Sequence, residues 1–130
     1  MLSLPLPVRI LVCTKHADMR RSFDGLAALV REYLGVDPLS GHLFVFRNRR
    51  GDRVKLLYWD EDGYAIWYKR LEEGVFAFPD ASHRSGVLAG EHGLPMRAAD
   101  LAMLLDGVDL ASVRRGKRYQ RPAPQRAASA

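Results

Sequence analysis

The chain has 130 residues, a length that suits one folded domain. Hydrophobic residues make up 48% and charged residues 27%, so we expect a packed core and exclude wholesale disorder. No stretch approaches the ~20 apolar residues of a membrane-spanning helix, and the first residues lack the basic and apolar regions of a signal peptide. We therefore expect a cytoplasmic protein without membrane contact. Cys13 is the single cysteine, which excludes an intrachain disulfide and a cysteine-rich zinc site.

Positive charge is concentrated in two segments of the chain. The net charge is +5, from 20 Lys and Arg against 15 Asp and Glu, yet residues 112–130 hold six of the basic residues and no acid. We predict a single domain over residues 1–111 and a basic, disordered tail over residues 112–130. The tail offers phosphate contacts at Arg114, Arg115, Lys117 and Arg118. The second segment, Arg47–Lys55, has five basic residues and one acid.

The first part of the chain predicts a strand followed by a helix. Val8–Thr14 contains a short apolar run, and Asp18 is placed as a helix N-cap. Apolar residues then recur at three- and four-residue spacing for about four turns, and Gly35 is placed as the C-cap. We therefore expect one long amphipathic helix here.

The central part of the chain predicts an antiparallel meander. Between His42 and Phe78, short aromatic and β-branched runs alternate with polar, glycine-containing separators, as hairpins require. The predicted strands are Leu43–Phe46, Val54–Trp59, Tyr64–Tyr68 and Val75–Phe78. A loop over Pro79–Pro95 and a shorter helix over Arg97–Asp106 follow. The expected fold is α+β: an antiparallel meander sheet of four or five strands, one long helix packed on it and a shorter C-terminal helix.

The turn between the first two meander strands is the main candidate site. It gathers Arg47, Arg49, Arg50, Arg53 and Lys55. Like charges this close repel one another unless an anion lies between them, and arginine forms bidentate contacts with phosphate or guanine. The alternative is a solvated hairpin whose charge prevents sheet aggregation. We interpret the turn as a nucleic-acid-binding site, with Lys69 and Arg70 as further candidates.

Three aromatic residues of the meander, Trp59, Trp67 and Tyr68, are candidates for binding a protein partner or for stacking on bases. Aromatic residues in such strands more often fill the core, and that alternative stays open.

Patterns for catalysis and metal binding are missing from the sequence. The histidines lack zinc-ligand spacing, and there is no Walker-type phosphate loop or nucleophile elbow. Asp60–Gly63 begins like a calcium loop, but its twelfth position is Leu71, so we interpret it as a hairpin turn. We expect no enzyme activity, no metal and no cofactor.

Several motifs strongly resemble one known family, the TnpB (second open reading frame) accessory proteins of IS 66-type insertion sequences. They are Ala17–Leu26 (ADMRRSFDGL), Ser40–Lys55 (SGHLFVFRNRRGDRVK), Leu57–Asp60 (LYWD) and Trp67–Glu72 (WYKRLE). Leu101–Asp109 is similar to that family's last helix, and the resemblance covers roughly residues 5–110. The RNA-guided nuclease that shares the name TnpB is unrelated.

This resemblance implies a non-catalytic accessory protein of bacterial transposition. The DNA cutting and joining belong to a separate DDE transposase of the same element, and no catalytic residue is carried over. Two hypotheses follow. The protein binds DNA, at the ends of the insertion sequence, through the basic hairpin and tail. Alternatively, it is an adaptor that binds the transposase without contacting DNA.

Overall fold

A computed structural model describes residues 8–78 and 92–107 of the chain. Its five strands are β1 (Ile10–Cys13), β2 (Leu43–Arg47), β3 (Arg53–Asp60), β4 (Gly63–Arg70) and β5 (Gly93–Met96), in one sheet of order β4-β3-β2-β1-β5. The helices are α1 (Phe23–Leu29), which continues as a π-helical segment over Val30–Leu34, and α2 (Ala98–Leu105). None of these helices is long and apolar enough to cross a membrane.

The α+β class is confirmed, but the sheet is mixed rather than antiparallel. β2, β3 and β4 form an antiparallel meander from three of the four predicted meander strands, with Val45 opposite Leu56 and Leu57 opposite Ile66. β1 instead pairs with β2 in parallel, with Val12 opposite Val45. The physical reason is that the helix between them carries the chain back across the sheet, so both strands run in the same direction.

The fifth strand lies at a different place in the chain from the predicted one. β5 pairs antiparallel with β1 and begins at Gly93, inside the predicted loop Pro79–Pro95. Pro95 weakens its strand signal, yet a proline is tolerated at a sheet edge because its missing N–H is not needed there. Val75–Phe78 is not a strand. It is an irregular segment in which the Phe76 N–H donates to the Gly51 carbonyl at 2.8 Å.

The first helix is shorter than predicted. α1 has seven residues and begins at Phe23, and the π-helical segment adds five more before Gly35, which adopts the expected left-handed conformation with φ 69°. Asp18 is not the N-cap, because its carboxylate accepts from the Arg20 backbone N–H at 2.9 Å in an irregular segment before the helix. The C-terminal helix lies as predicted and stops before Gly107, where φ is 92°.

The sheet buries an apolar cluster on each face. On one face, α1 and the π-helical segment cover a cluster that includes Leu11, Phe44 and Leu57. On the other, α2 covers a cluster that includes Val45 and Leu56. Successive strand residues alternate between the faces, so β2 and β3 read as continuous apolar runs because both faces are covered.

The Asp60–Gly63 turn is the predicted two-residue hairpin connection, with Asp60 opposite Gly63. Glu61 has φ 56°, the one positive φ of a non-glycine residue among the described ranges. A side chain in this left-handed region costs about 1 kcal/mol. We expect Glu61→Gly to raise the free energy of unfolding by about 0.5–1 kcal/mol in chemical denaturation. Glu73→Gly, at an exposed residue without a positive φ, is the control and should not stabilise the protein.

Candidate nucleic-acid interface

An open cleft of about 600 Å³ lies beside the basic turn. One wall is the segment between β1 and α1, and the other is the turn between β2 and β3. The cleft is lined by His16, Ala17, Asp18, Met19, Arg20, Asn48, Arg49, Arg50, Asp52 and Arg53. The lining therefore contains four arginines and two carboxylates. We call this feature the basic cleft.

The turn is held in one shape by Asn48. Its Oδ1 accepts from the backbone N–H groups of Gly51 and Arg53, both at 3.0 Å, and its Nδ2 donates to Asp52 Oδ1 at 2.7 Å. The segment after β4 supports the turn from outside, because the Leu71 N–H donates to the Asp52 carbonyl at 2.8 Å. Gly51 has φ 82°, which a glycine adopts without strain. The basic turn is therefore preorganised.

The charges of the turn's arginines are not neutralised by ion pairs in the described part of the chain. Arg49 and Arg50 are exposed, and neither they nor Arg53 form an ion pair within residues 8–78 and 92–107. Arg53 lies directly opposite Arg70 on β4, a like-charge pair across two strands. Arg53 donates to the Tyr68 hydroxyl at 3.2 Å, and Arg70 pairs with Glu72 at 2.9 Å. A bound anion would relieve the remaining repulsion around the turn.

Comparison with known proteins places the chain in a family. The model of the IS66 Orf2-like proteins matches residues 8–115. The chain belongs to this family.

Two curated relatives from Sinorhizobium fredii (strain NBRC 101917 / NGR234) match over most of their length. "Uncharacterized protein y4jC" is 38% identical over 115 residues, covering 88% of this chain and 91% of the relative. "Uncharacterized protein y4hO" is 40% identical over 102 residues, covering 78% and 82%. No solved structure matches. The resemblance seen in the sequence is confirmed, and the chain is an insertion-sequence-associated protein.

Two of the candidate DNA-binding residues of this IS66 Orf2-like protein lie away from the cleft. Lys55 is 7% exposed, and its Nζ donates to the carbonyls of Met19 and Arg21 at 2.8 and 2.7 Å. The Arg47 guanidinium lies over the Phe78 ring at 5.0 Å, and its buried Nε has no partner within the described ranges. Both side chains hold parts of the fold together, so we leave them out of the proposed interface.

The other candidates are divided between the two faces of the sheet. Lys69 donates to the Leu105 carbonyl at 3.4 Å on the α2 side. Trp67 packs against the core on that same side, whereas Trp59 meets Tyr64 edge to face at 5.1 Å on the α1 side. Tyr68, also on the α1 side, is 46% exposed. The three aromatic residues therefore do not form one partner-binding patch. Arg114, Arg115, Lys117 and Arg118 lie outside the described residues.

Residues of the opposite wall were missing from the sequence-based site. Asp18 and Arg20 come 30 positions before the turn, and no pattern in the sequence joins the two segments. Only Asn48 carried a local signal, because asparagine before a glycine-containing turn commonly bonds to the backbone two or three residues on. The cleft is a product of tertiary contact, because the segment after β1 lies against the end of β2, where the Ala17 N–H donates to the Arg47 carbonyl at 2.9 Å.

The carboxylates of the cleft are already engaged by neighbouring groups. Hydrogen bonds from Arg20 lower the pKa of Asp18 to about 2, with Nη2 at 2.7 Å from the carboxylate. The hydrogen bond from Asn48 lowers the pKa of Asp52. Partial burial, and then the charges of Arg47 and Arg49, lower the pKa of His16. With His16 neutral and Arg20 paired with Asp18, the cleft keeps the charges of Arg49, Arg50 and Arg53 against the one carboxylate of Asp52 at neutral pH.

The Asp18–Arg20 contact can be measured by carbon-detected NMR titration of the Asp18 carboxyl group. Its pKa lies below the unfolded value, so this contact stabilises the fold above about pH 4 and is lost as the pH falls towards about 2. We expect the midpoint at about 2 in the native chain and between about 2 and 4 in Arg20→Gln, which loses the guanidinium but keeps the backbone N–H that donates to the carboxylate. A midpoint unchanged by the substitution would assign the low pKa to another group.

Proposed function

We propose that this IS66 Orf2-like protein is a non-catalytic accessory factor of transposition that binds DNA with the basic cleft. A separate DDE transposase of the same element would carry out the cutting and joining. The observation that carries the proposal is the pair Arg49 and Arg50, exposed and without an ion-pair partner in the described ranges, on a turn that Asn48 holds rigid.

The preorganised turn suits phosphate recognition. An arginine on an ordered turn loses less conformational freedom on binding than one on a mobile loop, so more of its interaction energy appears as affinity. Arg53, half-buried and positioned by Tyr68, supports the turn at its base. These groups favour contact with the DNA backbone, while sequence-specific recognition of bases requires contacts in the groove. The basic tail would add non-specific phosphate contacts.

The adaptor hypothesis has one observation in its favour. Tyr68 and Phe23 are 46% and 44% exposed, so two large apolar side chains are available to a protein partner. This alternative predicts binding to the transposase that does not need Arg49 or Arg50.

A salt titration of duplex binding tests the proposal. Fluorescence anisotropy would compare a duplex from the end of the insertion sequence with an unrelated duplex between 50 and 200 mM salt, the range over which phosphate contacts weaken steeply. With three to four phosphate contacts, we expect the affinity of the full chain to fall roughly 40- to 150-fold across this range. If DNA is not bound at the lowest salt while the protein co-purifies with the transposase, the adaptor hypothesis holds instead.

A further inference from the structure

The strand β4 lies at one edge of the sheet. β4 pairs with β3 over eight residues without a break, from Arg53 opposite Arg70 to Asp60 opposite Gly63. No other strand of the described ranges pairs with its outer edge. Long, regular edge strands readily pair with another chain unless proline, a bulge or charge prevents it. The opposite edge, β5, has only four residues and carries Pro95.

The charges around β4 are arranged with opposite signs at its two ends. The exposed acids Asp60, Glu61 and Asp62 immediately precede the strand, and the exposed bases Lys69 and Arg70 end it. The six residues between them, 63–68, carry no charge. Two copies of such a strand attract each other when they run antiparallel, because each acidic end then meets a basic end.

One antiparallel register of two β4 strands pairs opposite charges and also fits the sizes of the facing side chains. If Ile66 lies opposite the partner's Ile66, then Arg70 lies opposite the partner's Asp62. In the same register Tyr68 lies opposite the partner's Tyr64, and Trp67 lies opposite the partner's Ala65, a large residue against a small one. Aromatic and opposite-charge pairs across two strands each stabilise a sheet.

We propose that a second copy of this chain pairs with the β4 edge in this antiparallel register. The contact is related by a twofold axis perpendicular to the sheet, as a symmetric dimer requires. It joins two five-stranded sheets into one, with Arg70 of each copy beside the partner's Asp62. The same edge would otherwise be exposed to uncontrolled strand pairing.

The dimer also places two basic clefts where one DNA duplex could contact both. This consequence rests on the proposed function. A twofold axis perpendicular to the sheet keeps both α1 faces, and hence both clefts, on one side. Arg53 begins β3 opposite Arg70, four residues from the strand centre at Ile66. With about 3.3 Å per residue and 4.8 Å between strands, the two Arg53 positions lie about 30 Å apart. This spacing is close to one turn of B-DNA, about 34 Å.

A charge-swap series tests the dimer. Asp62 lies just before β4 and Arg70 ends it, so the length of the strand separates them in one chain and any interaction between them is intermolecular. We expect the full chain to sediment as a dimer in analytical ultracentrifugation. Arg70→Glu and Asp62→Arg alone each create two repulsive contacts and should weaken the dimer about tenfold or more. The double variant should restore it, and a mixture of the two single variants should form a heterodimer.

The results separate this proposal from other modes of association. A chain that stays monomeric at all concentrations overturns it. A dimer that none of the substitutions affects also overturns it, because that dimer uses another surface. Circular dichroism of each variant establishes that it is folded. DNA binding by a monomer would leave the proposed function standing while removing the dimer, so the two proposals fail independently.

Discussion

Replacing Arg49, Arg50 and Arg53 with alanine is expected to abolish most of the DNA affinity. Each arginine that contacts a phosphate contributes about one unit to the slope of log affinity against log salt. We therefore expect the slope to fall by two to three units and the affinity near 100 mM salt to fall on the order of 100-fold. The arginines are exposed or half-buried and form no ion pair within the described ranges, so the free energy of unfolding should change little.

A charge-matched variant is the control for this experiment. In the control, Arg9, Arg31 and Arg97 are replaced with alanine, which removes the same net charge. These three residues are exposed and do not line the basic cleft. We expect this control to lose less than a third as much of the salt slope. Deletion of residues 112–130 is the second control. If that deletion alone abolishes binding, the tail carries the affinity and the cleft does not.

Replacing Lys55 with methionine is expected to cost the largest free energy of any single change discussed. The side chain is 7% exposed, and its ammonium group binds the carbonyls of Met19 and Arg21. Methionine retains an apolar stem but leaves both carbonyls without their charged donor. Losing hydrogen bonds to a buried charged group costs about 2–3 kcal/mol. The melting temperature should fall by about 10 °C in calorimetry.

The same substitution should also displace one wall of the basic cleft. Met19 lies in one wall of the cleft, and Lys55 is one of the groups that tie this wall to the sheet. We therefore expect Lys55→Met to weaken DNA binding even at temperatures where the chain stays folded. Lys15→Met, at an exposed residue, should change the free energy of unfolding by less than about 0.5 kcal/mol. Equal destabilisation by the two substitutions would contradict the structural role of Lys55.

Several elements could be predicted because their signals are local. The hairpins at Gly51 and Gly63 and the helix stops at Gly35 and Gly107 follow from turn and capping chemistry within a few residues. The family motifs predicted the membership that the comparison confirmed. The length of the first helix was wrong because Met19–Ser22 has a helical apolar pattern but is held irregular by Lys55, 34 to 36 positions away.

The amino-acid sequence by itself determined the α+β class, the meander, the family and the location of the basic turn, because each depends on short-range periodicity or on residue identity. Tertiary structure decided the rest. It set the parallel pairing of β1 with β2 and brought Asp18 and Arg20 opposite Asn48 and Arg49 to form the cleft. It also separated five neighbouring basic residues by role, because Arg47 lies on the opposite face of the sheet from Arg53 and Lys55 whereas Arg49 and Arg50 lie in the turn. Arg49 and Arg50 stay in solvent, Arg53 stands at the cleft, Arg47 packs on Phe78, and Lys55 is buried under the segment that leads into α1.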